Sequence, residues 1–286
     1  MDVIYSVTDL KQHIKENYNN MRIGFVPTMG FLHEGHLSLI KKAILENDLV
    51  VTTVFVNPTQ FGQGEDFETY PRDLQSDMVL AKAAGTHIFF NPSSEEIYPL
   101  NSSTIVETEG DIVANLCGTA RPGHFKGVAT VITKFFNIIR PDRAYFGEKD
   151  AQQVAVIKKM AAELFFDVSI VECPTVRESD GLAKSSRNSN LLPEERSQAP
   201  LIFKALEEVK MEFLNGNLDT TYLLQILRYN LFKITHGEID YADIVDKKNL
   251  VKIDQVQSDA LVAVAVKFKN VRLIDNITLK KEVTSC

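Results

Sequence analysis

At 286 residues the chain exceeds one typical domain and has room for one large domain or two of unequal size. Apolar and charged fractions of 44% and 24% are those of an ordinary globular protein and exclude a disordered chain or a coiled coil. A formal net charge of -7 excludes a nucleic-acid binder driven by a general positive field, so any anion site must be local.

Taken in chain order, Ile23 to Val26 suit a buried strand that Pro27 ends, and Leu37, Leu39, Ile40, Ile44 and Leu45 form a helix-period stripe. Val50 to Val56 is a β-branched run, the mark of a strand covered on both faces, and Asn57-Pro58 stops it. Asp73 to Ala84 predicts a helix with Gly85 as its C-cap, followed by a strand over Thr86 to Phe90. Val128 to Ile139 is expected to be helical, Arg143 to Phe146 a strand, Ala151 to Phe165 a helix, and Asp167 to Cys173 a strand ending at Pro174. This βαβ rhythm implies an α/β fold: a Rossmann-like, doubly wound parallel sheet with helices on both faces, here assigned to residues 1–175.

Beyond Thr175 the texture changes. Val176 to Asn190 is polar and rich in hydroxyls, helical stretches lie near Pro193 to Leu214 and Thr220 to Phe232, and strands are expected at Ile239 to Val245, Leu261 to Lys267 and Val271 to Ile277. A smaller α+β C-terminal domain, a lid, is therefore placed at 176–286. Cys117, Cys173 and Cys286 are too few and too scattered for a disulfide framework or a zinc ribbon, which suits a reducing, cytoplasmic compartment. No leader pattern opens the sequence and no apolar run approaches membrane-spanning length, so a soluble, unprocessed protein is expected.

The chemistry concentrates after predicted strands. In Thr28-Met-Gly-Phe-Leu-His33-Glu-Gly-His36 a glycine-punctuated turn leads into a helix start carrying two histidines. Unpaired N–H groups and the macrodipole favour an anion there, and a histidine adds a donor without a permanent charge. Gly30 and Gly35 have the separation of a P-loop, but His36-Leu37 stand where that motif demands Lys and Ser or Thr, which excludes it. Zincin histidines are four apart, not three, and Gly62-Gln-Gly64 lacks the third glycine of a dinucleotide fold. Asn57 to Phe61, Gly147 to Asp150 and the stretch from Thr175 onward also follow strands. Four strand ends are thus expected to converge on one pocket beyond the carboxyl edge of the sheet.

These blocks carry a resemblance. His33-Glu-Gly-His36 resembles the HxGH signature of the nucleotidyltransferase superfamily that includes class I aminoacyl-tRNA synthetases, and Lys184-Ser-Ser-Arg187 resembles its second signature. Pro27 to His36, Val56 to Gly62, Tyr70-Pro-Arg72, Arg121 to Phe125, Phe146 to Asp150 and Ser185 to Asn188 are, in order, similar to the pantothenate synthetase (pantoate:beta-alanine ligase) family. The resemblance implies that ATP activates pantoate as pantoyl adenylate, and that the amine of beta-alanine then displaces AMP. It makes His33 and His36 the donors that stabilise departing pyrophosphate, with Met29, Gly30 and Gly35 lining the nucleotide and Lys149 countering α-phosphate charge. Gly147, Glu148 and Val176 complete the nucleotide set. Asp150 holds the ribose, or touches magnesium. Ser185, Ser186 and Arg187 contact the β- and γ-phosphates from a mobile loop. Lys184 replaces the methionine common in the family and is expected to add a phosphate contact.

Gln60 and Gln153 offer amide donors and acceptors suited to pantoate, against the plain reading of exposed glutamines. Met29 and Phe61 could wall its geminal methyls or simply pack the core; His124 could orient pantoate or phosphate; Asn57 could flank beta-alanine or only end its strand. Gln63 to Tyr70 is expected to form a flap over the adenylate. Mg2+ is expected with the nucleotide, bound by phosphates and water rather than by a protein cage. A homodimer is what the family implies, with no nucleic-acid or membrane partner. The enzymatic alternative is a simple nucleotidyltransferase acting on a phosphorylated acceptor; a nucleotide-sensing scaffold would be expected to lack Lys149 or the serine pair.

Overall fold

The computed structural model describes residues 1–281; Cys286 lies outside the described residues. The elements run β1 (Asp2–Ile4), α1 (Val7–Asn17), β2 (Ile23–Thr28), α2 (Glu34–Glu46), β3 (Leu49–Val54), α3 (Leu74–Ala84) and β4 (Ile88–Phe90). Three single turns, α4 (Ser94–Ile97), α5 (Asp111–Ala114) and α6 (Cys117–Ala120), precede α7 (His124–Ile139), β5 (Arg143–Gly147), α8 (Ala151–Glu163) and β6 (Ser169–Cys173). The remainder is α9 (Pro193–Gln198), α10 (Leu201–Leu214), α11 (Thr220–Leu231), β7 (Glu238–Asp246), β8 (Ala260–Lys267) and β9 (Arg272–Leu279).

Backbone contacts divide the chain into two compact units. One holds Met1–Thr108, Arg121–Glu148 and Val156–Val176; the other holds Glu109–Ala120, Lys149–Ala155 and the chain from Arg177 onward.

The first unit is built on a six-stranded sheet of order β1-β4-β3-β2-β5-β6 in which every neighbouring pair is parallel. Strand order reverses between β2 and β5, so the carboxyl ends of these two strands flank the crevice where doubly wound sheets bind ligands. The run that suggested a two-sided strand is β3, buried along its whole length. On one face Val26, Val50 and Phe89 pack on Ile40 and Ala43 of α2 and Ala81 of α3. On the other, Phe135 of α7 sets its ring edge-on against Phe25, Phe55 and Phe90. Each fully buried phenylalanine of this kind contributes about 1.5–3 kcal/mol by removal from water.

Three local expectations need correction. Pro27 lies within β2, opposite Thr53, instead of ending the strand. Thr28 O accepts from Phe55 N on the β3 side, so by alternation the nitrogen of Pro27 faces β5, whose pairing with β2 stops at Phe25. The missing N–H therefore costs no ladder bond. Leu45 does not join the α2 stripe: it is 86% exposed, one residue and about 100° around the helix from Ile44. The helix expected to reach Phe165 ends at Glu163, and Phe165 turns with φ +56°.

The second unit packs an antiparallel sheet, order β7-β8-β9, against helices. Val262, Val264 and Val266 of β8 meet Leu206 and Val209 of α10 and Leu223, Leu227 and Leu231 of α11 in one core. The fold class expected from the sequence is the one found: a doubly wound parallel sheet and a smaller α+β part. No described helix is long and apolar enough to cross a membrane.

One close approach holds the first unit's site in register. A Cβ on Gly127 of α7 would fall 2.3 Å from Thr59 O and 2.6 Å from Gln60 Cα, so only glycine lets the helix press on the turn after β3. Gly127→Ala is expected to cost about 1–3 kcal/mol, as overpacking does. Urea unfolding would measure it; a loss below about 0.5 kcal/mol, the range of inert substitutions, would show that the contact does not brace the turn.

Candidate active site

After β2 the chain turns back on itself. The Thr28 hydroxyl donates to Thr53 O at 2.7 Å and accepts from Gly30 N at 3.2 Å. Gly30 and Phe31 both take left-handed conformations, φ +86° and +50°, and the buried carboxylate of Asp77 accepts from Phe31 N at 2.9 Å and Leu32 N at 2.6 Å. Burial raises the Asp77 carboxyl above its ordinary range, against the lowering effect of the Leu32 and Phe31 amides.

His33 is the N-cap of α2, with extended backbone at φ -135° and ψ 176°. Its Nδ1 accepts from Gly35 N at 3.1 Å, and His36 Nδ1 accepts from His33 N at 3.3 Å. Each residue thus satisfies one of the orphan amides of the helix start. Because both Nδ1 atoms accept, each neutral ring carries its proton on Nε2. The rings stand face to face, with centroids 4.1 Å apart and planes tilted by 32°. The two rings lie together at the positive end of a helix.

The turn after β3 supplies Gln60, which is buried rather than solvated. Its amide nitrogen lies 3.0 Å from Met29 Sδ, and its Oε1 accepts from Asn57 Nδ2 at 3.1 Å. Asn57, only 1% exposed, also donates to Gly127 O and accepts from Thr59 Oγ1 and the Tyr98 hydroxyl. Its side chain shapes the turn and supports Gln60.

His124, at the first turn of α7, places Nδ1 2.9 Å from Gln60 O, a bond that makes Nδ1–H the donor. Nε2 then accepts from Arg121 Nη1 at 3.0 Å. Arg121 also reaches Glu65 through Nε and Nη2, both at 2.7 Å. Glu65 in turn accepts from Gly62 N, so Arg121, Glu65 and His124 tie the loop after Phe61 to α7 and to the Gln60 backbone. Phe61 packs edge-on against Phe67 and Tyr70 inside that loop.

Gly147 closes β5 beside Cys173, and a Cβ built there would meet nothing within 4 Å. Glu148 and Val176 are half-buried in the same unit.

Lys149, Asp150, Gln153, Lys184, Ser185, Ser186 and Arg187 belong to the second unit. Asn276 Nδ2 donates to Lys149 O at 2.9 Å. Of the paired glutamines, Gln152 is buried and engaged by Cys117 N, Ile112 O and Asn115 O, while Gln153 is half-buried. The serine loop is braced at its base. Arg177 pairs with Asp275 at 2.6 and 3.0 Å and lies over the Phe203 ring, and Lys184 pairs with Glu178 at 2.8 Å. Ser185 Oγ caps the following turn by accepting from Arg187 N, and Ser186 is buried.

The sequence reading missed Asp77, Glu65 and Tyr98. Each acts on backbone or side chains 20 or more residues away or across a loop, and no local spacing marks such a partner.

The Glu65–Arg121 pair has a pH signature. Burial works to raise the Glu65 carboxyl, but the Arg121 hydrogen bonds and charge, with the Gly62 amide, outweigh it and hold the group at about 2 instead of 4.5. A depressed folded value means stability present in full above pH 4.5 and lost as pH falls toward 2. Glu65→Gln is therefore expected to be less stable than wild type at pH 7, with the gap closing between pH 4.5 and 2. Denaturant unfolding across that range measures it, and a gap independent of pH would discount the ion pair.

The chain matches known proteins along nearly its whole length. Residues 2–278 match the family model described as pantoate-beta-alanine ligase. A pantothenate synthetase from Acetivibrio thermocellus is 50% identical over 98% of this chain and 100% of its own length; one from Thermotoga neapolitana is 48% identical over 98% and 100%. The crystal structure of the Thermus thermophilus pantothenate synthetase superposes with a TM-score of 0.94 at 42% identity, covering 98% of this chain and 100% of that one. The Francisella tularensis ligase, solved in complex with beta-gamma ATP and beta-alanine, gives 0.81 at 35% identity and 97% coverage of both chains. The chain belongs to the pantoate-beta-alanine ligase family.

Proposed function

We propose that this chain joins (R)-pantoate to beta-alanine at the expense of ATP, forming pantothenate, AMP and pyrophosphate through a pantoyl-adenylate intermediate. The observation that carries the assignment of roles is the reciprocal cap of α2, which presents two neutral Nε2–H donors at a helix start, in the same unit as the buried Gln60. In the first step the pantoate carboxylate attacks the α-phosphorus, and the bond to the β-phosphate oxygen breaks. No protein nucleophile is needed; the work is positioning and stabilising charge. His33 and His36 donate to the oxygens that become pyrophosphate, and Gly30 and Gly35 admit the nucleotide against the helix start. In the second step the amine of beta-alanine adds to the acyl carbon, loses a proton, and AMP leaves.

Gln60, supported by Asn57 and His124, is assigned to pantoate, and Met29 and Phe61 to its methyl groups. For Gln153 the pantoate role, and for Lys149, Asp150, Ser185, Ser186 and Arg187 the nucleotide roles, rest on the family pattern carried by their motifs. Gly147, Glu148 and Val176 are assigned to the nucleoside. Magnesium is assigned to the triphosphate, with water completing its shell. A homodimer in the cytoplasm is the assembly and compartment that family membership suggests.

Pantoate-dependent exchange of label between pyrophosphate and ATP, without the amine, tests the first step; AMP release on adding beta-alanine tests the second. His36→Ala is expected to slow exchange about 10²- to 10³-fold, the usual cost of one transition-state donor, and an unchanged rate would remove His36 from the chemistry. Lys184→Met is expected to raise KM for ATP about two- to fivefold at low salt, the effect of a solvent-screened charge contact, shared with Glu178, worth ~0.4–1 kcal/mol. Equal kcat/KM for ATP in the two proteins would rule the contact out.

A further inference from the structure

The turn that delivers His33 to its capping position is strained. Gly30 and Phe31 are successive left-handed residues, and the non-glycine one costs about 1–2 kcal/mol in that conformation. On one side the turn borders a cavity of about 270 Å³ lined by Met29, Gly30, Val54, Asn91 and Ser94. Beside the Thr28 hydroxyl on Gly30 N and the packing of Leu32 in the core, one side chain holds two successive amides of the turn. Asp77, on α3 and 1% exposed, gives one carboxylate oxygen to Phe31 N at 2.9 Å and the other to Leu32 N at 2.6 Å. Those are the two amides immediately before the N-cap. The fit is tight from the other direction too: a Cβ on Gly30 would stand 2.9 Å from Asp77 Oδ2 and 2.9 Å from Val54 Cγ1.

We infer that Asp77 is the positioning residue of the imidazole pair: by clamping two successive peptides it sets the backbone of His33, and through the reciprocal cap it sets His36. This rests on the proposed reading of His33 and His36 as pyrophosphate donors. A carboxylate can accept both amides at once. An amide side chain cannot, because its NH2 would face an N–H. Loosening the clamp therefore moves both rings without touching substrate.

The test separates the half-reactions. Asp77→Asn should lower pantoate-dependent pyrophosphate exchange at saturating ATP roughly 10- to 100-fold, the cost of displacing aligned groups by about an ångström. Conversion of supplied pantoyl adenylate by beta-alanine should stay within about twofold, since pyrophosphate has by then departed. A merely structural lesion would depress both. In a His33→Ala, His36→Ala background the same Asp77→Asn change should slow exchange less than about threefold, as coupled residues behave in a double-mutant cycle. Equal losses in both half-reactions, or an undiminished loss in the double-alanine background, would overturn the inference. If the alanine variants alone leave exchange unchanged, the reading of the histidines fails, independently of the Asp77 result. Asp77→Ser, which keeps an acceptor and a rotatable hydroxyl, is the second variant; failure of both to fold would assign Asp77 to the fold alone and overturn its positioning role.

Discussion

A histidine at a helix N-terminus has two nitrogens with opposite jobs, and the rest of the first unit is arranged around keeping them apart. Nδ1 of His33 and of His36 accepts a backbone amide, which leaves Nε2–H as the donor of each ring. A serine or aspartate cap would satisfy the same orphan amides equally well, but neither would extend a fixed N–H toward an anion. One side chain meets the capping requirement and supplies the donor that the proposed function uses. That economy explains why the spacing is three: the residue at N3 is the one able to return a bond to the N-cap amide.

The sheet provides the frame. Strand order reverses at β2 and β5, and the capped helix follows β2 directly. β3 is buried along its length, so the turn that follows it is anchored at its origin, and Gly127 brings the backbone of α7 against that turn. Gln60 consequently sits buried with its carbonyl held by His124 and Arg121 and its side chain by Asn57. A glutamine so fixed presents a defined donor and acceptor geometry, whereas a solvated one would lose rotamer entropy on every binding event.

Much of this was legible in the amino-acid order. The β-branched run of β3, the glycine C-cap of α3 at Gly85 and the valine alternation of β8 are local signals, and each marks its element because burial imposes a period on adjacent residues. The errors were local signals overridden by tertiary context. Pro27 sits inside β2 because its neighbour β5 pairs no further than Phe25; Leu45 is apolar and exposed because it lies about 100° around α2 from Ile44. The short strand β1 and the helix α1 were not foreseen, since three residues of strand carry no period of their own. Within the site, the motifs marked the residues assigned to ligands. The supports, Asp77, Glu65 and Tyr98, are single polar residues whose partners are amides and carbonyls, and backbone groups have no sequence signature.

This division has a physical cause. A group that meets a ligand must have a particular chemistry at a particular offset from a strand end, and both are written in the order of residues near it. A supporting group need only bring an acceptor or donor to a buried backbone position, and the fold decides from which element it comes. Asp77 reaches Phe31 and Leu32 from α3, and Arg121 reaches Glu65 and Gln60 from the start of α7. In each case the carboxylate or guanidinium makes at least two bonds, so a lateral shift of the clamped segment strains one bond as it relaxes another. Paired hydrogen bonds of this kind resist rotation as well as translation. Both loops that carry candidate substrate contacts in the first unit are held in this way, one by Asp77, which lies in no motif, and one by Arg121, which opens the Arg121 to Phe125 block.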